Sequence, residues 1–496
     1  MGSNPTLSAN ALDHVMNRTP IRAPEFPQTL TWFNTPTALS LAEQRGKVVL
    51  LDFWTYCCIN CMHILPDLAY LEHQYPEGLV VIGIHSPKFP NERVEKQVQK
   101  AINRYHIQHP VAHDPLFELW QHYGIRAWPS MAVIDPEGYL VTVLAGEGHR
   151  QQLDHLIAEL LAQAERQGIR QYSPMAVQLT PEPTDSLRFP GKIHATAERL
   201  YISDSGHQQI IETNWGGKVL RRFGSGQAGF QDGQPQEAQF RDPQGLVKVE
   251  NKLYVADRQN HALRTIDLAT GTVTTLAGNG EQGHHRGGYF ATLSQAQLNS
   301  PWDLAYQQGI LYIAMAGSHQ IWSLNLALST LSLYAGSGRE DILDGSAQQA
   351  AFAQPSGLSI GEHILYVADS ETSAVRGIHL VQATTTTWVG RGLFEFGDRD
   401  AEGQQARLQH PLAVAWDAQR HGLWIADTYN SKIKWLSLES PYPVRTEPLN
   451  WDLNEPGGLS LYADTLWIAD TNNHHVVRYD IPQRTCLALT LTCLTD

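Results

Sequence analysis

No stretch of this chain approaches 18 consecutive apolar residues, and residues 1–20 contain no apolar core of an export leader. Neither a membrane-spanning helix nor a cleaved signal is expected. Basic runs are missing too. The 36 Lys and Arg are outnumbered by 50 Asp and Glu, for a formal net charge of −14. That balance argues against a nucleic-acid backbone or an anionic membrane as partner. Cysteine is scarce: Cys57, Cys58, Cys61, Cys486 and Cys493. An odd number, three of them within five positions, is unlike the framework of a secreted disulfide-rich domain. The expectation is a soluble, cytoplasmic protein. Met1-Gly-Ser-Asn-Pro-Thr6 formally fits an N-myristoylation pattern, but Pro5 and the lack of a polybasic segment speak against its use.

What the chain does have is length, 496 residues, and a 42% hydrophobic content, enough for several packed domains. Residues 1–27 are polar and interrupted by proline, a mostly irregular arm ending at Ala23-Pro-Glu-Phe-Pro27. Over 28–165 strand and helix patterns alternate. Strands are predicted at Val48–Phe53 and Leu79–His85, and helices at Cys58–Gln74, Glu92–Tyr105 and Gln152–Gln163. A hairpin joins Met131–Ile134 to Tyr139–Leu144. This order implies an α/β layer structure. Residues 166–189, with Pro174, Pro181 and Pro183, read as a linker carrying a possible short strand at Met175–Leu179.

The strand Val48–Phe53 feeds into Cys58-Ile-Asn-Cys61, and Ile64, Leu65, Leu68 and Leu71 then recur at helical spacing. Cys58 is thereby placed at the first turn of a helix, where unpaired N–H groups and the helix dipole stabilise a thiolate. Cys61 follows one turn later, within reach of a disulfide. The pattern points to thiol–disulfide exchange. A zinc half-site would need a second Cys or His pair nearby, and His63 alone does not supply one. A peroxidase reading rests on Thr55-Tyr-Cys-Cys58, but Leu51 and Cys61 fit that chemistry poorly. A degenerate domain that keeps the pair and acts as a scaffold is the third alternative.

Residues 190–496 repeat. Tyr201-Ile-Ser-Asp204, Tyr254-Val-Ala-Asp257, Tyr312-Ile-Ala-Met315, Tyr366-Val-Ala-Asp369, Trp424-Ile-Ala-Asp427 and Trp467-Ile-Ala-Asp470 are six copies of one strand ending. A Pro-led strand such as Pro243-Gln-Gly-Leu precedes most copies, and a third and often a fourth strand follow. Six such units arranged radially make an all-β, six-bladed propeller whose last strand comes from the chain end. The strand-end aspartates are expected to accept backbone N–H bonds and lock the turn into the third strand. Loops at Phe230-Gln-Asp-Gly, Leu343-Asp-Gly and Asp398-Arg-Asp-Ala-Glu-Gly403 lack the ligand spacing of an EF-hand and read as inter-blade turns. His284-His285 and His474-His475 show no metal-ligand arrangement, so neither a metal nor a cofactor is expected.

Two resemblances follow from these residues. Leu51-Asp-Phe-Trp-Thr-Tyr-Cys-Cys-Ile-Asn-Cys61 resembles the active-site strand and helix of thioredoxin. That resemblance implies Cys58 as the attacking thiol, Cys61 as the resolving one and Asp52 as the buried carboxylate beneath them. Trp128-Pro129 then matches the cis-proline that faces the thiols and leaves backbone free for an incoming strand. Cys57 stands where thioredoxins carry tryptophan, and Ile59-Asn60 replaces their Gly-Pro, so the redox poise does not transfer. Cys57 is a competing neighbour of Cys58, a candidate modulator of the pair. The repeats, with Asn260-His261 and Asn473-His474, resemble NHL repeats. Together the halves resemble the NHL repeat-containing protein 2 family, in the form of a bacterial member without the C-terminal β-rich domain of longer ones. The family resemblance implies a cytosolic protein and sharpens the fold more than the reaction; the cysteine site itself gives the expectation of a thiol–disulfide oxidoreductase, with the propeller as a protein-interaction platform. A protein client or redox partner would bind at the cleft between the domains.

Overall fold

Val48–Trp54 is apolar at every position except Asp52, as a strand buried on both faces requires. It is the central strand of the first of two compact units, which divide after Glu182. The computed structural model describes residues 20–182 and 185–492. The acylation motif at residues 1–6 and Cys493 lie outside them.

The first unit holds β1 (Ile21–Arg22), β2 (Thr31–Phe33), β3 (Val48–Trp54), β4 (Leu79–His85), β5 (Val111–His113), β6 (Ser130–Ile134) and β7 (Tyr139–Ala145) in one mixed sheet of order β1-β7-β6-β3-β4-β5-β2. β3 runs parallel to β4 and antiparallel to β6. The helices are α1 (Ile59–Gln74), α2 (Glu95–Arg104), α3 (Glu118–His122) and α4 (Arg150–Gln167). Strand alternation sorts the two faces. Val49, Leu51 and Phe53 pack with Val80, Ile82 and Ile84 on one side. Val48 and Leu50 face the other, against Ile64, Leu68 and Leu71 of α1 and Leu153, Ile157 and Leu161 of α4. By the same alternation Asp52 and Trp54 continue the α1-facing row.

In the arm before residue 28, Ile21 and Arg22 pair with Leu140 and Tyr139 at the sheet edge. Two sequence expectations change here. The helix expected over Glu92–Tyr105 is broken. Pro90–Arg93 is a 3₁₀ turn and Val94 is extended before α2 begins, because the Glu92 side chain turns back to bond Lys88 and Phe89. Met175–Leu179 forms no strand; in this stretch Gln178 N–H donates to the Asn34 carbonyl and Met175 packs against the core of the first unit.

The second unit consists of six sheets, each with four consecutive antiparallel strands: blade 1 (Ile193–Phe223), blade 2 (Pro243–Ala277), blade 3 (Pro301–Ala335), blade 4 (Pro355–Val389), blade 5 (Ala413–Thr446) and blade 6 (Pro456–Ala488). Each repeated strand buries both faces, one against each neighbouring blade. In blade 2, Leu253 and Val255 pack toward blade 1, and Tyr254 and Ala256 toward blade 3. The ring closes where the segment after blade 6 joins the outer edge of blade 1, through Val219 N–H on the Thr492 carbonyl and Thr492 N–H on that of Gly217.

The strand-end aspartates do more than lock a turn. Asp204, Asp257, Asp369, Asp427 and Asp470 each accept, on Oδ1, the backbone N–H of Arg188, Arg241, Ala353, Gln409 or Asn454 in the segment entering the blade, at 2.7–2.8 Å. Their Oδ2 atoms receive the side chain three residues on, such as Asn260, Thr372 or Asn430. The turn ends in a left-handed residue at Gln208, His261, His319, Ser373, Ser431 and His474. Each accepts the N–H of a second left-handed residue, the one before the next blade's proline: Asp242, Ser300, Gln354, His410, Glu455 and Phe189. Six blade-to-blade latches result, and the one from His474 to Phe189 closes the ring.

The acidic loops that look calcium-like serve buried cations. Asp232, Asp344 and Asp398 with Asp400 pair with Arg264, Arg376 and Lys434, which also face Asp257, Asp369 and Asp427. Across the axis, Lys192 donates to the carbonyls of Ser356 and Leu412 at 2.8 and 2.5 Å and faces Asp303 at 3.4 Å. One ammonium from blade 1 thereby ties blades 3, 4 and 5.

Two stability outcomes follow. His474→Ala leaves the buried Phe189 N–H without its acceptor, and thermal denaturation should show a loss of about 1–3 kcal/mol. Lys192→Met leaves Asp303 and two carbonyls uncompensated, and a loss of about 3–5 kcal/mol is expected in denaturant unfolding.

Candidate active site

The last residues of β3 and the turn after it carry the candidate cysteine pair. The turn Thr55-Tyr-Cys-Cys58 leaves β3 and enters α1, with Cys58 as the N-cap residue and extended in φ and ψ. Its carbonyl receives the N–H groups of Cys61 and Met62, at 3.1 and 3.3 Å. Cys58 is half-buried and Cys61 fully buried. Both are thiols, and their side chains hydrogen-bond to each other. Burial pushes the Cys61 thiol well above its ordinary range. The bond to Cys58 and the charges of Cys58 and Asp52 act in the same direction, against an opposing backbone bond at Thr55.

Asp52 lies on the same face of β3, fully buried, and neither carboxyl oxygen has a hydrogen-bond partner. Burial raises its pKa to about 7, against a smaller lowering by His109. A carboxyl with this value exchanges protons near neutrality instead of holding a permanent charge. Trp128-Pro129 is a cis peptide bond immediately before β6, where Ser130 pairs with Phe53. Pro129 thus stands beside the end of β3, where the cysteine turn begins. The Pro129 carbonyl accepts Gly146 N–H at 2.8 Å, and the Trp128 ring packs on Trp120 with centroids 4.5 Å apart.

Cys57 is buried, its sulfur lies 3.9 Å from Thr55 Oγ1, and its N–H donates to Glu92 Oε1 at 2.9 Å. Glu92 is a residue that the sequence pattern hides. Fully buried, its carboxylate also accepts Thr55 Oγ1–H, Lys88 N–H and Phe89 N–H at 2.7–2.8 Å. It clamps the cysteine turn to the loop after β4. His109 was missed too: its only sequence signal is a polar residue beside Pro110, at the edge of a buried strand. No signal at that level links either residue to the cysteines.

Above Asp52 on the α1-facing row, His85 and His113 face each other through Nδ1 at 3.2 Å. Burial lowers the pKa of both. His63 bonds Glu147 at 2.8 Å, one residue past the glycine that meets Pro129.

Among family models, one described as thioredoxin-like matches residues 46–140. NHL repeat-containing protein 2 of Gallus gallus is 39% identical over 93% of this chain and 70% of its own length. Protein SUPPRESSOR OF QUENCHING 1, chloroplastic, of Arabidopsis thaliana is 41% identical over 93% of this chain and 47% of its own. The thiol-disulfide oxidoreductase ResA of Halalkalibacterium halodurans is 31% identical over 25% of this chain and 68% of its own. A thioredoxin-like unit with a cysteine pair at a helix start, a six-bladed propeller after it, and homology along nearly the whole chain converge: the chain belongs to the NHL repeat-containing protein 2 family.

Proposed function

We propose that this protein is a thiol–disulfide oxidoreductase acting on a protein client presented by its propeller. The observation that carries the reading is the stack of Cys58, Cys61 and Asp52: a half-buried thiol, a buried thiol bonded to it, and a buried carboxyl with a pKa of about 7. In the first step the Cys58 thiolate attacks one sulfur of a client disulfide. A mixed disulfide forms and the other client sulfur leaves as a thiolate. In the second, Cys61 gives its proton to Asp52 and attacks the Cys58 sulfur, which releases the second client thiolate. Two electrons pass to the client, and Cys58–Cys61 ends as a disulfide that an external dithiol must reduce. Trp128 and Pro129 border the entry to the pair and are assigned to client binding. Cys57 is assigned a modulating role: it reaches the pair only if the bond from its amide to Glu92 opens. The sparse, odd cysteine set supports action in a reducing compartment such as the cytoplasm.

Cys61→Ala should accumulate mixed disulfides through Cys58 with client proteins, seen as higher-mass species that dithiothreitol dissolves and Cys58→Ser abolishes. A trap that stays empty under oxidative challenge would leave the domain a scaffold.

Asp52→Asn should move activity and stability in opposite directions. The wild-type resolving rate rises with pH through about 7 as the carboxylate becomes available. In Asp52→Asn that inflection disappears and the rate at neutral pH falls about 10²-fold. Stability follows from the sign of the shift. The folded pKa lies above the ordinary aspartate value of 3.8, so the charged form is disfavoured by folding and wild-type stability falls between pH 4 and pH 7. Above pH 7 Asp52→Asn should be the more stable protein, by up to about 4 kcal/mol in denaturant unfolding.

A further inference from the structure

The proton that Asp52 takes from Cys61 must leave a fully buried carboxyl, and no hydrogen bond from Asp52 leads outward. Beside Asp52 on β4 stands Gly83, its register partner in the parallel pair. A Cβ there would lie 2.9 Å from Trp54 Nε1, 3.2 Å from Val111 Cγ2 and 3.5 Å from His109 Nε2. Glycine at 83 therefore leaves room for an indole and an imidazole to converge next to the carboxyl. Trp54 Nε1 and His109 Nε2 are both buried and, like the Asp52 oxygens, have no hydrogen-bond partner. His109 is 4% exposed and anchored through its carbonyl by Asn34 Nδ2 at 3.1 Å. Its other ring nitrogen, Nδ1, faces Glu72 Oε2 of α1 at 3.5 Å, and the Glu72 side chain is 33% exposed. His109 thus acts electrostatically on Asp52, keeps Nε2 unpaired on the side of Gly83, and faces a part-exposed carboxylate through Nδ1.

We propose that His109 and Glu72 are positioning residues that carry the proton of the resolving step between Asp52 and solvent. The inference rests on the exchange reaction proposed above. As Cys61 attacks Cys58, the S–S bond to the client breaks, its electron pair leaves on the client sulfur, and the Cys61 proton goes to Asp52. Asp52 then hands a proton to His109 Nε2, and the Nδ1 proton moves to Glu72 and out to water. When an external dithiol later reduces the Cys58–Cys61 disulfide, Cys61 takes its proton back from Asp52 along the same path and the imidazole regains its starting tautomer; nothing in the relay itself is oxidised or reduced. Among the described residues, the titratable groups acting on Asp52 are Cys61 and His109, with Cys58 acting on Cys61; those facing His109 are Asp52 and Glu72. His85 and His113, farther along the same row, are held to each other.

The test is single-turnover resolution of a Cys58–thionitrobenzoate mixed disulfide on the full chain, read as release of the yellow anion across pH. In His109→Gln, release at neutral pH should fall about tenfold, within the range of general acid–base effects. Its inflection should move to higher pH, because the imidazole no longer favours the Asp52 carboxylate. Loading of Cys58 should be unchanged, a split that a merely structural defect does not produce. Glu72→Gln, at a partly exposed helix position, should slow release at least threefold with the inflection little moved, and it serves as the variant if His109→Gln does not fold. Wild-type rates and an unmoved inflection in the folded variants overturn the relay and leave the exchange reaction standing. Failure of wild-type Cys58 to form the mixed disulfide at all overturns both.

Discussion

A carboxylate removed from water must be met by donors or must take up a proton, and this constraint organises both units. Glu92 meets it with four donors, and in doing so fixes the turn that presents Cys58. Asp257, Asp369 and Asp427 meet it with a backbone N–H, a side chain three residues on and a buried cation. Asp303 accepts Leu304 N–H and Leu358 N–H while facing Lys192. Asp52 differs from all of these: buried to the same degree, it receives no hydrogen bond. The satisfied carboxylates hold structure. The unsatisfied one lies beneath the cysteine pair, where the proposed exchange needs a proton to move.

The propeller shows how a repeat keeps its geometry while its letters drift. The latch needs an acceptor on a left-handed residue and a backbone N–H on the next, and nothing more. A left-handed conformation costs about 1–2 kcal/mol for an L-residue, so each blade joint offsets two such costs with its own hydrogen bond and with packing. Histidine serves at 261, 319 and 474, serine at 373 and 431, glutamine at 208. The Asn-His element visible at 260–261 and 473–474 is therefore one solution among several. Blades that lack it keep the same joint.

The legible parts of this chain are those in which neighbours in sequence decide the outcome. β3, β4 and α1 were readable because apolar periodicity and burial agree, and the strand-end motif was readable because it recurs in six blades. Glu92 was not, because its partners lie 35 and 37 residues away on another element, while the spacing of Val94, Val98, Ala101 and Ile102 suggests an unbroken helix. The acidic loops misled for a related reason. Asp232 and Asp344 resemble ion ligands locally, but the cation each one meets is an arginine 32 residues further on. His109 gained meaning only when the register placed Gly83 opposite Asp52.

Adjacent cysteines pose a selectivity problem that side-chain chemistry alone does not solve, since Cys57 and Cys58 are the same thiol one peptide apart. The backbone separates them. Cys58 caps α1, so its carbonyl belongs to the helix and its side chain sits at the helix start beside Cys61. The Cys57 amide belongs to Glu92, and its sulfur is held inward by Thr55. Withdrawing that amide would leave a buried carboxylate short of a donor, a penalty of about 1–3 kcal/mol, more for a charged group. The clamp that shapes the turn thus holds the Cys57 backbone in place, while Cys58 and Cys61 belong to the helix.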